Sequence, residues 1–270
     1  MPKRRPTTRS SAPAASSRRS NRAAGKVRSA GRPRTRATAG SQKERALRLA
    51  DALAEQYPDA HCELTYTSPL QLLIATILSA QATDVSVNKA TPALFARFPD
   101  AASFANATPT DIEPFIRSIG LYRNKAKAIV QTCRMLVERV GGEVPRTMEE
   151  LLTLRGVARK TANVVLGNAF GINDGFVVDT HIQRLAVRFG LAPAGSTPQA
   201  VERRLMSLLP RERWCQLSHQ IIWHGRRACQ ARRAGCADHP ICREFGQRCE
   251  LRVSAARRRT QQQANMPDRS

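Results

Sequence analysis

The stretch Thr147–His181 reads TMEELLTLRGVARKTANVVLGNAFGINDGFVVDTH, two helices about a tight turn and the start of a third. Thr147 followed by Glu150 is a capping box that starts a short helix, and Leu151, Leu152 and Leu154 give that helix an apolar face. Arg155-Gly156-Val157-Ala158-Arg159 is long enough only for a turn, in which Gly156 can take a backbone angle that other residues avoid. From Lys160 the residues Ala162, Val165, Leu166 and Ala169 recur at helical spacing until Gly171 ends the run. Asp179 then stands before Thr180-His181-Ile182 as the N-cap of a third helix.

Two helices joined by so short a turn point backbone N–H groups and the positive end of a helix outward, which makes an anion site. In a chain of net charge +23 the anion that fits is a nucleic-acid phosphate. Lys160 stands at the start of the second helix, and a neutral lysine amine is a nucleophile that forms Schiff bases. Asp179 follows nineteen residues later, also near a helix start, where it could complete a lysine–carboxylate pair. Taken singly, each residue has a plainer reading: a solvated lysine, a capping aspartate and, in His181, an exposed histidine. The pattern as a whole carries the chemistry.

Outward from this stretch the chain is helical. A helix over about Gln42–Gln56 shows Ala46, Leu49, Ala50 and Leu53 on one face. Ser68-Pro69-Leu70-Gln71 is a second start signal, and the helix it opens is apolar nearly all round as far as Ala80, which places it inside a domain. Gln81 to Asp84 is a turn, and a helix follows to Arg97. Thr108-Pro109 opens a short helix, and Gly120-Leu121-Tyr122-Arg123 makes a second turn that echoes the first. Further helices carry Ile182 to Phe189, Val201 to Leu208 and Trp214 to Ile222. No segment alternates like a strand, so the fold class is all-α.

Residues 1–43 hold thirteen Lys or Arg and no acidic residue, which leaves +10 for the remainder. Residues 1–40 have too little apolar surface to fold alone and read as a disordered basic tail that grips phosphates. No apolar run is long enough to span a bilayer, and no secretory segment is evident. In a reducing cytoplasm the seven cysteines read as thiols or metal ligands sooner than as disulfides.

The central stretch resembles the helix-hairpin-helix of the endonuclease III family of DNA glycosylases. The family's hairpin core is L-P-G-V-G-R-K-T-A, against Leu154-Arg155-Gly156-Val157-Ala158-Arg159-Lys160-Thr161-Ala162 here. Val178-Asp179-Thr180-His181 matches the family's V-D-T-H, and Leu78 through Thr91 is an uninterrupted match to a further motif. The similarity runs from about Lys43 to Cys249. Arg155 replaces the hairpin proline and Ala158 its second glycine; if that glycine position needs φ > 0, Ala158 is strained. The chain is identified as a divergent member.

The resemblance implies a two-lobed fold: 41–61 packs with the C-terminal lobe, 62–172 forms a six-helix barrel, 173–250 forms a helical lobe with a cysteine-cluster loop, and 251–270 is a disordered tail. It implies a bifunctional glycosylase that removes oxidised pyrimidines and cleaves abasic sites through a Schiff base on Lys160, with Asp179 stabilising positive charge on the sugar. Gln81 would fill the gap in the base stack and Leu121 would wedge into the duplex. Arg155, Gly156, Val157, Ala158, Arg159, Thr161 and His181 would meet DNA. The partner would be double-stranded DNA with damaged bases or abasic sites, the protein a monomer, and its place the cytoplasm at the nucleoid, without a membrane. The alternatives are a monofunctional glycosylase and a non-catalytic lesion-binding protein, both set back by the presence of Lys160 and Asp179.

Cys229, Cys236, Cys242 and Cys249 follow the spacing C-x6-C-x5-C-x6-C. Four thiols this close suggest a metal centre. The family spacing is C-x6-C-x2-C-x5-C around a 4Fe–4S cluster, and here His239 falls where the third cysteine would stand. The resemblance implies 4Fe–4S in a bulged loop. Zinc on some of the four cysteines and His239 is the alternative, and no metal a third reading.

Overall fold

The computed structural model describes residues 39–232 and 238–247. The expected tails lie outside the described residues, save for positions 39 and 40, and so do Cys236 and Cys249.

Ser68 and Pro69 set the centre of the first lobe. The Ser68 hydroxyl accepts from the Gln71 amide at 3.2 Å and proline takes the first helical position, so α2 (Pro69–Ser79) begins there. Gln71 reaches past the cap, its Oε1 accepting from the Thr67 amide at 2.9 Å. Leu72 through Leu78 are all buried. This helix, apolar on every side, packs against α3 (Asp84–Arg97), α6 (Tyr122–Val140) and α8 (Arg159–Phe170). The lobe is completed by α4 (Ala101–Asn106), α5 (Pro109–Ile116) and α7 (Met148–Thr153). Periodicity does not reveal α4, which is too short for a 3.6-residue repeat to show. Its signal is the Asp100–Ser103 capping box, in which both reciprocal bonds form.

The second lobe is built from both ends of the described chain. Ala46, Leu49, Ala50 and Leu53 of α1 (Ala39–Gln56) join one core with Phe176, Ile182, Phe189, Leu205 and Trp214. That core is carried by α9 (Thr180–Arg188), α10 (Pro198–Leu208), α11 (Trp214–Arg227) and α12 (Pro240–Phe245). The spacing of apolar residues places α11 only as far as Ile222; it runs on to Arg227 because Trp223, His224 and Gly225 are buried as well. Pro240 at the first helical position opens α12 inside what sequence shows only as a cysteine loop. The described residues are all-α in two lobes, and α11 touches α8 where the lobes meet. No helix among them is long and apolar enough to cross a membrane.

Candidate active site

The hairpin between α7 and α8 forms for local reasons. Thr147 caps α7, its hydroxyl accepting from the Glu150 amide at 3.3 Å and donating to the Glu150 carboxylate at 2.6 Å. Leu151 and Leu154 are buried and hold one side of the turn. Gly156 has φ +78, and a Cβ there would come within 3.1 Å of Ala128 Cβ, so both the angle and the space call for glycine. Ala158 is the N-cap of α8 with φ −98 and ψ 169. That is extended backbone, so alanine in place of the second glycine carries no strain here. Arg155 and Lys160 are exposed, Thr161 is half-buried, and the Val157 side chain is in the core.

Arg159 is engaged. Its Nε donates to both oxygens of Glu202 on α10, at 3.0 and 2.9 Å, and Asn163 Nδ2 donates to the same carboxylate at 3.0 Å. Glu202 and Asn163 are buried. The first turn of α8 is thereby clamped to the second lobe.

Asp179 caps α9: its Oδ1 accepts from the Ile182 amide at 2.8 Å. The preceding Phe176 and Val177 are buried, which pins the loop that delivers it. His181 is half-buried, with Arg184 Nη2 3.3 Å from its Nδ1. It packs on Gly225 of α11, where a Cβ would lie 3.0 Å from both its Cβ and its Nδ1.

Lys160 and Asp179 line one open cleft of about 540 Å³ together with Cys62, Glu63, Asp84, His219, Trp223 and Arg226. Arg226 binds Glu63 and donates to Asp84 at 2.8 Å, closing one wall. Burial raises the Asp84 carboxyl above its usual value; Lys160 offsets part of this, Asp179 adds to it and His181 opposes it. The Asp84 carboxylate therefore shares one field with Lys160 and Asp179. Burial, with His61 adding, holds His219 down to about 4, so it is neutral near pH 7, with Nε2 2.8 Å from Asn168 Oδ1. Sequence reading missed Asp84, Glu63, His219 and Arg226 as wall residues. Asp84 lies within the matched 78–91 run, where it reads only as a turn residue. Glu63, His219 and Arg226 lie far in sequence from the stretch that carries Lys160 and Asp179.

Two turns of the first lobe carry a left-handed backbone at a non-glycine residue. Gln81 follows α2 with φ 57, and Leu121 precedes α6 with φ 60 and 58% of its surface exposed. Lys125 is buried, and burial lowers its pKa.

In the second lobe Cys229 and Cys242 are buried side by side. The Cys229 thiol is held well below its usual value by Cys242, with His224 and Arg188 adding and burial opposing. Arg188 Nη1 donates to Cys229 Sγ at 3.1 Å, and His224 Nε2 lies 3.2 Å from Cys242 Sγ. His239 joins them: one ligand atom from each of His224, His239 and Cys242 lies within 4.8 Å of the others. His224 has no motif of its own in the sequence and enters only through the approach of its ring to Cys242.

Comparison with known proteins bears on this geometry. Residues 74–211 match the HhH-GPD superfamily of base excision DNA repair proteins. Endonuclease III of Synechocystis sp. is 54% identical over 198 residues, which cover 73% of this chain and 90% of that protein. Endonuclease III of Escherichia coli is 44% identical over 194 residues, covering 72% and 91%. Among solved structures, a trapped endonuclease III–DNA covalent intermediate with an estranged adenine has a TM-score of 0.74 and 40% identity, covering 79% of this chain and 98% of its own. A thermostable thymine-DNA glycosylase shares the fold at TM-score 0.68 and 19% identity.

Proposed function

Because the chain belongs to the HhH-GPD superfamily of base excision DNA repair proteins, and within it to the endonuclease III family, we propose that Lys160 is its nucleophile and Asp179 the carboxylate that serves it. The enzyme is a DNA glycosylase and abasic-site lyase of base-excision repair, and its partner is DNA. The observation that carries the residue assignment is the shared cleft: the start of α8 and the cap of α9 bring Lys160 and Asp179 to one cavity beside the exposed hairpin.

The damaged nucleotide leaves the stack and enters the cleft. Lys160 Nζ gives its electron pair to the sugar C1′ as the N-glycosidic bond breaks, and the base departs with a proton. The sugar ring opens to a Schiff base on Lys160. Loss of a C2′ proton then breaks the C3′–O bond, which nicks the strand 3′ to the lesion, and water releases Lys160. Asp179, fixed by its bond to the Ile182 amide, has its other oxygen for the amine proton and for the positive charge that develops on the sugar. Gln81 fills the vacated space and Leu121 parts the stack. Arg155 and the first amides of α8 take a backbone phosphate, while Arg159 acts through Glu202 to hold α8 in place. The substrates are oxidised or ring-saturated pyrimidines and abasic sites in duplex DNA, met by a monomer in the compartment that holds the chromosome.

Iron–sulfur is typical of the family, and we assign a 4Fe–4S cluster to Cys229, Cys236, Cys242 and Cys249. The donor chemistry fits: two soft, buried sulfurs lie side by side with a guanidinium donating to one of them. Such a cluster would supply a cross-link that fixes the loop, and no step of the reaction passes through it. A single zinc ion is the second reading, favoured by the close approach of His224, His239 and Cys242.

Borohydride reduction of the reaction on a duplex with one abasic site tests the assignment. The protein is expected to be trapped covalently on the DNA, and Lys160→Ala to lose the adduct while still binding the duplex. Full nicking by Lys160→Ala would overturn it.

A further inference from the structure

Gln81 and Leu121 are the non-glycine residues with φ > 0 among the described residues. They lie on different turns, forty residues apart in sequence, and both hold a backbone conformation that L residues avoid. One residue joins the two turns, through its side chain on one and its backbone on the other. Lys125 Nζ donates to Leu78 O at 2.8 Å and to Ala80 O at 2.6 Å, the carbonyls that end α2 immediately before Gln81. The backbone N–H of the same residue donates to Leu121 O at 3.1 Å in the first turn of α6. Lys125 is 6% exposed.

Packing alone does not call for an ammonium at this place. An apolar side chain of similar length would fill the volume without the desolvation cost of a buried charge. What the ammonium adds is a fixed link, favoured by the negative end of α2 and by two carbonyls that the helix leaves without intrahelical donors. We infer that Lys125 is a positioning residue that locks the Gln81 turn and the Leu121 turn into one rigid reader, so that both side chains enter the duplex as a unit. The inference rests on the proposed insertion of Gln81 and Leu121 and adds their mechanical coupling.

The test is a double-mutant cycle read by single-turnover base release from a duplex with one ring-saturated pyrimidine. Gln81→Ala, Leu121→Ala and the pair are measured in the parent and in Lys125→Met. In the parent the pair should lose no more than the worse single variant, a coupling of about tenfold. In Lys125→Met the two losses should multiply, so that the coupling falls to about onefold. Borohydride trapping on an abasic site in single-stranded DNA, which needs no opening of a stack, should be unchanged by Lys125→Met. Coupling that persists undiminished in Lys125→Met would overturn the inference. If neither single variant affects the parent, it is the insertion reading that fails. Should Lys125→Met not fold, hydrogen exchange in the parent decides: the Ala82 and Lys125 amides should open in one cooperative step, and separate opening would refute the lock.

Discussion

Ala158 shows what one backbone angle decides. Its replacement of a hairpin glycine signals strain in the sequence, yet its φ of −98 is open to any residue. The left-handed angle sits at Gly156 instead, where it costs nothing. The non-glycine residues that do bear it, at a cost of roughly 1–2 kcal/mol each, are Gln81 and Leu121. His219 gives a prediction at the same scale. Its pKa is about 4 in the fold against 6.5 when unperturbed, so above pH 6.5 both states are neutral and the group has no effect. As pH falls below 6.5 the unfolded chain takes up a proton that the folded one refuses, and stability drops until pH reaches about 4. The loss at pH 4 is on the order of 3 kcal/mol. Urea unfolding across this range should show the decline, and His219→Asn should flatten it; an equal decline in the variant would assign it to other groups.

At the scale of elements, the placement of α8 depends on a partner far along the chain. The capping signals and periodicity of α7 and α8 are local and legible, and the hairpin forms where they place it. The clamp that fixes α8 against α10 is not legible, because Arg159 and Glu202 are forty-three residues apart and each looks like a surface charge. The ion pair is part-exposed on the arginine side, 42%, and buried on the glutamate side, 8%. Glu202→Ala removes the shared acceptor of Arg159 and Asn163 and should destabilise the protein by about 2 kcal/mol, less than a fully buried pair would lose. Thermal unfolding checks the stability. The lyase rate checks the placement of Lys160 and should fall as well, since the helix that carries it loses its anchor. A variant that loses stability and keeps its full rate would show the clamp to be structural only.

For the whole molecule, the proposed metal centre would be the feature that cross-links the chain beyond α11. Analysis of purified protein for iron, acid-labile sulfide and zinc tests it directly. About four irons and four sulfides per chain, with broad visible absorption, are expected for the cluster. One zinc with no sulfide would move the assignment to His224, His239 and the thiols. Removal of the metal should melt α12 and the loop while the first lobe keeps its fold, since α12 packs within the second lobe's core and the first lobe has a core of its own.

The pairing of Lys160 with Asp179 is what the family resemblance implies, whereas the helical class, the positions of most long helices and the hairpin are legible in the residues alone. These follow from local rules, because caps, turns and helical periods act over a few residues. Only the tertiary structure decided that Asp84, Glu63 and Arg226 wall the cleft, that Arg159 turns to Glu202, that Lys125 spans two turns, and that His224 reaches the cysteines. Each of those is a contact between residues distant in sequence, set by how buried helices pack, and a side chain's partner across a core leaves no trace in the spacing of its neighbours.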